Sequence, residues 1–318
     1  MGRYIQRRLL VSIPVLFAIT VIAFLLLQAA PGDPLNSYIP PDAPLPPEQR
    51  EALRHELGLD RPLVIRYFYW LWEAMQGNLG VRAQNFEPVS SEIMRRLGPT
   101  LLLMGTALAT GIALGVVLGV VSAIKKYSFL DMFLTVMAFL GVSFPVYLAG
   151  LIGLYVFALR LGWLPAGGMS SPGQDSGLLD YLQHLLLPSV IISLNYVAST
   201  MRYTRSAMLE VLDLDYIRTA RAKGLKDNVI IVRHALKNAL MPVITIIGSY
   251  IPGLLGGAVF IESIYSWPGM GRLFLDGVEA RDYPLIMGLI LILAIVILVV
   301  NLLTDVAYAL VDPRVRYD

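Results

Sequence analysis

The sequence predicts an all-α polytopic membrane protein with six transmembrane helices and a helical extracytoplasmic loop between the first two. Three observations predict it. Hydrophobic residues make up 56% of the 318 residues and charged residues only 15%, against about 25% charged in soluble domains. A soluble core cannot hide that much apolar surface, but a bilayer can. Six stretches supply the roughly 20 mostly apolar residues a membrane helix needs. Lys and Arg are also unequally shared between the connecting segments. This composition excludes a disordered chain, a nucleic-acid binder and an ordinary soluble enzyme. The chain has no Cys, which removes disulfides, thiolate chemistry and cysteine metal sites. Its His residues, His55, His184 and His234, lie far apart without ligand spacing.

The predicted spans are 9–30, 100–124, 129–159, 185–201, 243–261 and 284–310. The first follows Arg3, Arg7 and Arg8, and small residues Ala29 and Ala30 end it, as in a signal peptide. Its apolar run exceeds the roughly 7–15 residues of a signal core, so an uncleaved anchor is expected. The fourth is the weakest, because Pro188, Ser193 and Asn195 interrupt it. With the N-terminus inside, the inner segments hold 15 of the 25 Lys and Arg but 8 of the 23 acids. The excess of inner cations sets the orientation, so both termini face the cytoplasm. The chain thus divides into a cytoplasmic N-terminus with the first span (1–30), an extracytoplasmic loop domain (31–99), a five-helix core (100–310) and a cytoplasmic tail (311–318). The core contains a long inner loop, 202–242.

The inner loop carries the most local information. Asp213 or Asp215 can cap a helix N-terminus, Lys223 suits the last turn and Gly224 suits a left-handed closing position. These signals predict a short helix over 215–223, with Leu214, Ile217 and Ala220 near one face. Asp227 can cap a second helix, and Pro242 falls where the fifth span starts. A passive basic loop needs no caps, stop or small-residue patch. A stiff rod joined to two spans is a lever on which a soluble partner can push.

The run Tyr216-Ile-Arg-Thr-Ala-Arg-Ala-Lys-Gly224, continued by Arg233-His-Ala-Leu-Lys-Asn-Ala-Leu-Met-Pro242, resembles the cytoplasmic signature loop of ABC importer permeases. Thr219-Ala220 stands where many members have Glu-Ala, and Ala222 and Gly224 match the remaining positions. The Arg-Thr-Ala-Arg-Ala-Lys-Gly form is similar to the dipeptide, oligopeptide and nickel branch. Pro31-Gly-Asp-Pro34, Glu56-Leu-Gly-Leu-Asp60, Gly77-Asn-Leu-Gly80, Ser266-Trp-Pro-Gly-Met-Gly271, Arg281-Asp-Tyr-Pro284 and Asp312-Pro-Arg-Val-Arg316 extend the resemblance over nearly the whole chain. It implies the type I permease fold and a half-pore paired with a second, homologous permease in a heterodimer. It also implies two cytoplasmic ATPase subunits and an extracytoplasmic substrate-binding protein. The coupling helix would involve Asp213, Asp215, Tyr216, Ile217, Thr219, Ala220, Ala222 and Gly224. No Gly-x-x-x-x-Gly-Lys-Ser/Thr phosphate loop occurs in the sequence. ATP and Mg would therefore bind the partner ATPases, with no catalytic residue or cofactor in this chain.

Other residues carry weaker expectations. Ala107, Gly111, Gly115 and Gly119 leave one face of the second span bare, which admits a neighbouring helix. It reads as close packing or as a sliding seam. Ser143 with Pro145, and Pro252 with Gly253, are hinge candidates, because Pro removes a backbone hydrogen bond. Asn195 can line the pore or bond between helices. Asp305 is expected to pair with an inner Arg. Intramembrane polar residues look few, which counts against an ion-coupled carrier, where a buried carboxylate is expected. An intramembrane enzyme lacks a plausible base or an HExxH motif. In the outer loop, helical patterns cover 47–57 and 62–76. Tyr67, Phe68, Tyr69, Trp70 and Trp72 suit a membrane-interface belt or a docking surface. Trp70, Trp72, Trp267 and Gly269 are the docking candidates for the binding protein. Peptide is the leading cargo, with nickel and glutathione as alternatives from the same branch, since nickel would want more His or carboxylate ligands.

Overall fold

The structure is a computed structural model that describes residues 2–39, 45–173 and 177–311. The side chains at 2–4, 245, 247–249, 251–258 and 306–311 lie outside the description. The helices in chain order are α1 (Gly2–Ala29), α2 (Pro47–Glu56), α3 (Leu63–Met75), α4 (Val89–Ile124), α5 (Phe129–Ser143), α6 (Val146–Gly153), α7 (Leu178–Leu212), α8 (Asp215–Ala222), α9 (Asp227–Val229), α10 (Lys237–Ile264), α11 (Met270–Glu279) and α12 (Tyr283–Val311). A 3-10 turn spans Pro34–Tyr38. Two π-helical segments, Leu154–Arg160 and Ile230–Leu236, continue α6 and α9. The extended pairing among the described residues is an isolated bridge between Val81 and Pro88.

Four helices among the described residues are long and apolar enough to cross a membrane. They are Ile5–Ala29 within α1, α4, α7 and Tyr283–Asp305 within α12. Counting the bent pair α5–α6 as one crossing gives five. The span predicted at 243–261 falls inside α10, where many side chains are outside the description. The span predicted at 129–159 is not one straight helix. It breaks at Ser143–Pro145, and the two arms meet at 103°. Straight, 31 residues would run about 46 Å at 1.5 Å per residue, well beyond the roughly 30 Å hydrocarbon core, so a break relieves the excess length. Phe144 and Pro145 have extended backbone, with ψ of 125° and 127°.

The chain forms two compact units, residues 1–99 with 269–318, and residues 100–268. In the first, α1 and α12 pair along their length and Arg8 meets Asp305 at 3.0 Å, which supplies the partner expected for that carboxylate. Leu79, Val89, Ile93, Met270, Leu273, Leu285 and Leu289 form its core. Gly288 lets α12 come close, since a Cβ there would stand 2.7 Å from Val89. Asp282 is fully buried and accepts from the N–H groups of Ala83 (3.1 Å) and Leu285 (3.2 Å), with Arg82 Nε at 3.5 Å. Burial pushes its carboxyl above the ordinary value, although these donors pull the other way.

The second unit packs α7 against α10 and α5. Its central core holds Leu103, Met104, Ala107, Leu187, Ile191, Ile261, Tyr265 and Trp267. Gly150 and Gly153, one turn apart on α6, leave room for Ile261 and Tyr265, and the Tyr265 hydroxyl donates to the Gly150 carbonyl at 2.9 Å. The arm beyond the break is thereby fastened to α10.

Candidate coupling and translocation site

The short helix α8 is built as an inward-keyed rod. Ile217 and Ala220 are buried, while Asp215, Tyr216, Arg218, Thr219, Arg221, Ala222 and Lys223 are exposed. The buried pair joins a cluster with Ala123 of α4, Ala207 and Met208 of α7, Ile230 and Ala235 of the π-helical segment, and Ala239 of α10. Burying one large aliphatic side chain contributes about 1.5–3 kcal/mol. The alanines add little of their own but let the helix ends approach. Tyr216 accepts from Asn238 Nδ2 at 2.8 Å, and Asn238 also donates to the His234 carbonyl at 3.0 Å. α8 is therefore tied to α10 by a polar contact as well as by methyl groups.

The caps differ from the sequence reading. Asp213 closes α7 in right-handed geometry, and Leu214 occupies the N-cap of α8 with extended backbone and no side-chain bond. Asp215 sits inside the first turn, where its charge suits the helix dipole, and faces Arg218 at 3.4 Å. Both of those side chains are well exposed, so the pair is worth little. Asp227 likewise lies in a first turn, after Lys226 at the cap. Lys223 is the C-cap, and Gly224 follows at φ +76°, the left-handed closure expected there.

A charged tie that sequence reading missed lies beside this rod. Arg205 of α7 grips Asp131 of α5 with both arms, Nε to Oδ1 at 2.7 Å and Nη2 to Oδ2 at 2.8 Å. Asp131 also accepts from the Tyr127 N–H at 2.9 Å and from the Ser122 hydroxyl of α4. One buried carboxylate thus gathers the end of α4, the start of α5 and α7, two residues before the Ala207–Met208 part of the α8 socket. A second carboxylate, Glu262 on α10, is fully buried and accepts from Thr100 at 2.7 Å.

Above the tie, α4 and α7 touch backbone to backbone. Ala107 is fully buried. A Cβ on Gly111 would strike Tyr196, one on Gly115 would lie 2.5 Å from Thr200 Cβ, and one on Gly119 would lie 2.6 Å from Thr204 Cβ. The opposite flank of α7 carries Asn195, Ser199, Arg202 and Ser206 at helical spacing. Asn195 is exposed, and Arg202 lies over the Phe139 ring at 5.4 Å. Ser143 and Pro145 are exposed at the α5–α6 break. Pro252 and Gly253 fall within helical α10, their side chains outside the description.

The docking candidates separate. Trp72 is 61% exposed and Trp70 is partly buried. Trp267 is fully buried against Tyr181, ring centroids 6.3 Å apart, so its side chain is not offered to a partner in this state. Gly269 is also buried, at the N-cap of α11. The Ser-Trp-Pro-Gly sequence looked like a surface loop, but its indole fills the core. Among the described residues no group of His, Asp or Glu is placed to hold a metal.

The description "binding-protein-dependent transport system inner membrane component" fits residues 115–317, and its N-terminal counterpart fits residues 1–104. The chain belongs to this family. It is a permease component of an ABC importer, a multi-pass inner membrane protein that is not itself catalytic and has no cofactor of its own. A Brucella suis biovar 1 protein, provisionally named a peptide permease, is 50% identical over 99% of both chains. The oligopeptide transport system permease protein AppB of Bacillus subtilis is 42% identical over the full length of both. The glutathione transport system permease protein GsiC of Escherichia coli K12 is 37% identical, again over the full length of both. Among solved structures, a chain of the inward-facing MetNI methionine ABC transporter superposes with a TM-score of 0.55 at 15% identity. The match covers 70% of this permease and 96% of that chain, and shows the shared fold.

Proposed function

We propose that this permease forms one half of a peptide-conducting pore, driven by ATP hydrolysis in partner subunits through α8. The observation that carries the mechanism is the two-sided character of α8. Its inner face is locked by Ile217 and Ala220 to the ends of α4, α7 and α10, and its outer face is polar and open. A push on such a rod moves those helix ends rather than deforming the rod. Two cytoplasmic ATPases with ATP and Mg, a homologous second permease and an extracytoplasmic binding protein complete the machine in this reading. The six spans at 9–30, 100–124, 129–159, 185–201, 243–261 and 284–310 put both termini in the cytoplasm.

In the pore, Asn195 and Ser199 supply hydrogen-bonding groups for a peptide backbone, with Arg202 and Ser206 at its inner mouth, and the break at Ser143–Pro145 is the flexible joint. Pro252 and Gly253 remain hinge candidates. Peptide cargo is supported by the names of the Brucella and Bacillus relatives. Glutathione, itself a short peptide, is the second reading, supported by the Escherichia coli relative.

The test is uptake of labelled di- and oligopeptides by the reconstituted complex, with Ala220→Arg as the uncoupling variant. A guanidinium forced into the alanine socket should lift α8 off α7. The permease is expected to stay in the membrane while ATPase co-purification and uptake fall at least about tenfold, the equivalent of 1.4 kcal/mol or more. Normal uptake with normal ATPase stimulation would remove the lever.

A further inference from the structure

The helix α3 lies in what sequence reading treated as an external loop, but its contacts place it beside the apolar length of α1. Tyr67 is buried, its hydroxyl 2.9 Å from Thr20 Oγ1 and its ring edge-on to Phe17 and Phe24. Thr20 stands nine residues before the end of α1 at Ala29, about 14 Å along the axis at 1.5 Å per residue. That depth is nearly half of a hydrocarbon core of roughly 30 Å. At that depth the other side of α3 meets lipid, another helix or the pore.

That other side is apolar and large. Val64, Phe68, Trp72 and Met75 are 67%, 54%, 61% and 66% exposed. Helix faces that meet other helices in membranes favour Gly, Ala, Ser and Thr, as α4 does toward α7. The exposed face of α3 has none of these.

Beside α3, at the Ala29 end of α1 and the Tyr283 end of α12, lies a cavity of about 330 Å³. Its wall includes Phe24, Leu27, Trp70 and Met287, and its charged groups are Arg61, Arg66, Glu56 and Glu73. Arg66 Nη1 donates to the Gln28 side chain at 3.2 Å, and Arg61 lies over the Tyr69 ring at 5.3 Å. Neither arginine has a carboxylate partner among the described ion pairs. Arg66 is partly buried, and a charge withdrawn from water in this way gains from a nearby anion.

We propose that α3 is a helix immersed in the membrane leaflet at the Ala29 end of α1, and that the cavity beside it seats one phosphatidylethanolamine. The two arginines suit the phosphate, the two glutamates suit the ammonium, and the apolar wall takes the upper acyl chains. The membrane thereby holds α3 against α1.

The chain has no Cys, so single cysteines can carry a nitroxide. Val64→Cys, Trp72→Cys and, on α2, Glu51→Cys would be labelled in the full transporter in phosphatidylethanolamine and phosphatidylglycerol vesicles. Positions 64 and 72 are expected to be accessible to oxygen and shielded from a water-soluble nickel reagent, with position 51 the reverse. Nickel access at 64 and 72 would make the face a docking surface for a soluble protein. Shielding from both reagents would mean that another helix covers it. Either result overturns the immersed helix. Native mass spectrometry of the same complex reads the cavity. One retained phosphatidylethanolamine should be lost in Arg61→Gln/Arg66→Gln, and an unchanged lipid count would overturn the site. Neither readout depends on peptide uptake.

Discussion

Consecutive stretches of α7 are held in opposite ways. Over Tyr196, Thr200 and Thr204 the helix lies on glycines of α4, with little but backbone between them. Immediately after, Arg205 grips the Asp131 carboxylate, and about a turn on Ala207 and Met208 key into the α8 socket. The first contact is short-range and non-directional. It tolerates no added bulk, yet no hydrogen bond or ion pair between Gly115 or Gly119 and the facing threonines fixes its register. The second contact is directional, with two charged hydrogen bonds of set geometry. On the coupling role proposed above, a push arriving at α8 would meet a firm coupling at the end of α7 and, further along it, a seam that reads as close packing or as a sliding surface. The difference suggests a division into transmission and movement along a single helix.

The glycine seam offers the largest effect. Gly119→Leu would place its Cβ 2.6 Å from Thr204 Cβ and 2.7 Å from the Met201 carbonyl, which is backbone and cannot step aside. Overpacking of this kind typically costs about 1–3 kcal/mol, and the backbone obstacle puts this case at the top of that range or above. The folded permease recovered in detergent should fall several-fold. Gly105→Leu on the same helix, with nothing within 4 Å of where its Cβ would stand, should be close to neutral. If the two behave alike in a thermal-shift assay, the seam is not closely packed in the membrane.

A middle-sized effect is expected at the charged tie. Removing one member of a buried ion pair costs about 3–5 kcal/mol, and here less, because the Arg205 side chain keeps 25% of its exposure. Asp131→Asn should lower the unfolding temperature and reduce uptake per assembled complex. Asp131→Asn with Arg205→Gln removes both charges and should recover part of the stability. The two changes are then non-additive, as for any contacting pair. Strict additivity in the double-mutant cycle would show that the tie does not operate.

What the sequence revealed follows from how far each signal reaches. The boundaries of α2 and α3 came within a residue or two of the predicted 47–57 and 62–76, because prolines and amphipathic spacing act locally. The bare face of α4 was visible as a period of four, and Gly224 as a stop. The 103° break was visible as Pro145 but not in its angle, which depends on how Gly150 and Gly153 seat against Ile261 and Tyr265. Asp131 and Arg205 are 74 residues apart, and nothing local marks them as partners. Trp267 misled for the converse reason. Its neighbours Pro268 and Gly269 signal a loop, while its burial is decided by Tyr181 and the core of the second unit.

The smallest effect sharpens the same comparison at a single backbone position. Gly224 has φ +76°, and nothing lies within 4 Å of where its Cβ would be. A side chain there meets no obstacle, so the cost is the left-handed backbone alone, about 1–2 kcal/mol for an ordinary L residue. Gly224→Ala should therefore weaken ATPase co-purification modestly, and Gly224→Asn less, because Asn accepts this conformation better. At the seam the ranking runs by volume, with Ala milder than Asn. At Gly224 it should invert, with Asn milder than Ala. Finding the volume order at both places would mean that α8 ends against a partner surface in the assembled transporter, so that Gly224 is kept for room and not for its backbone angle.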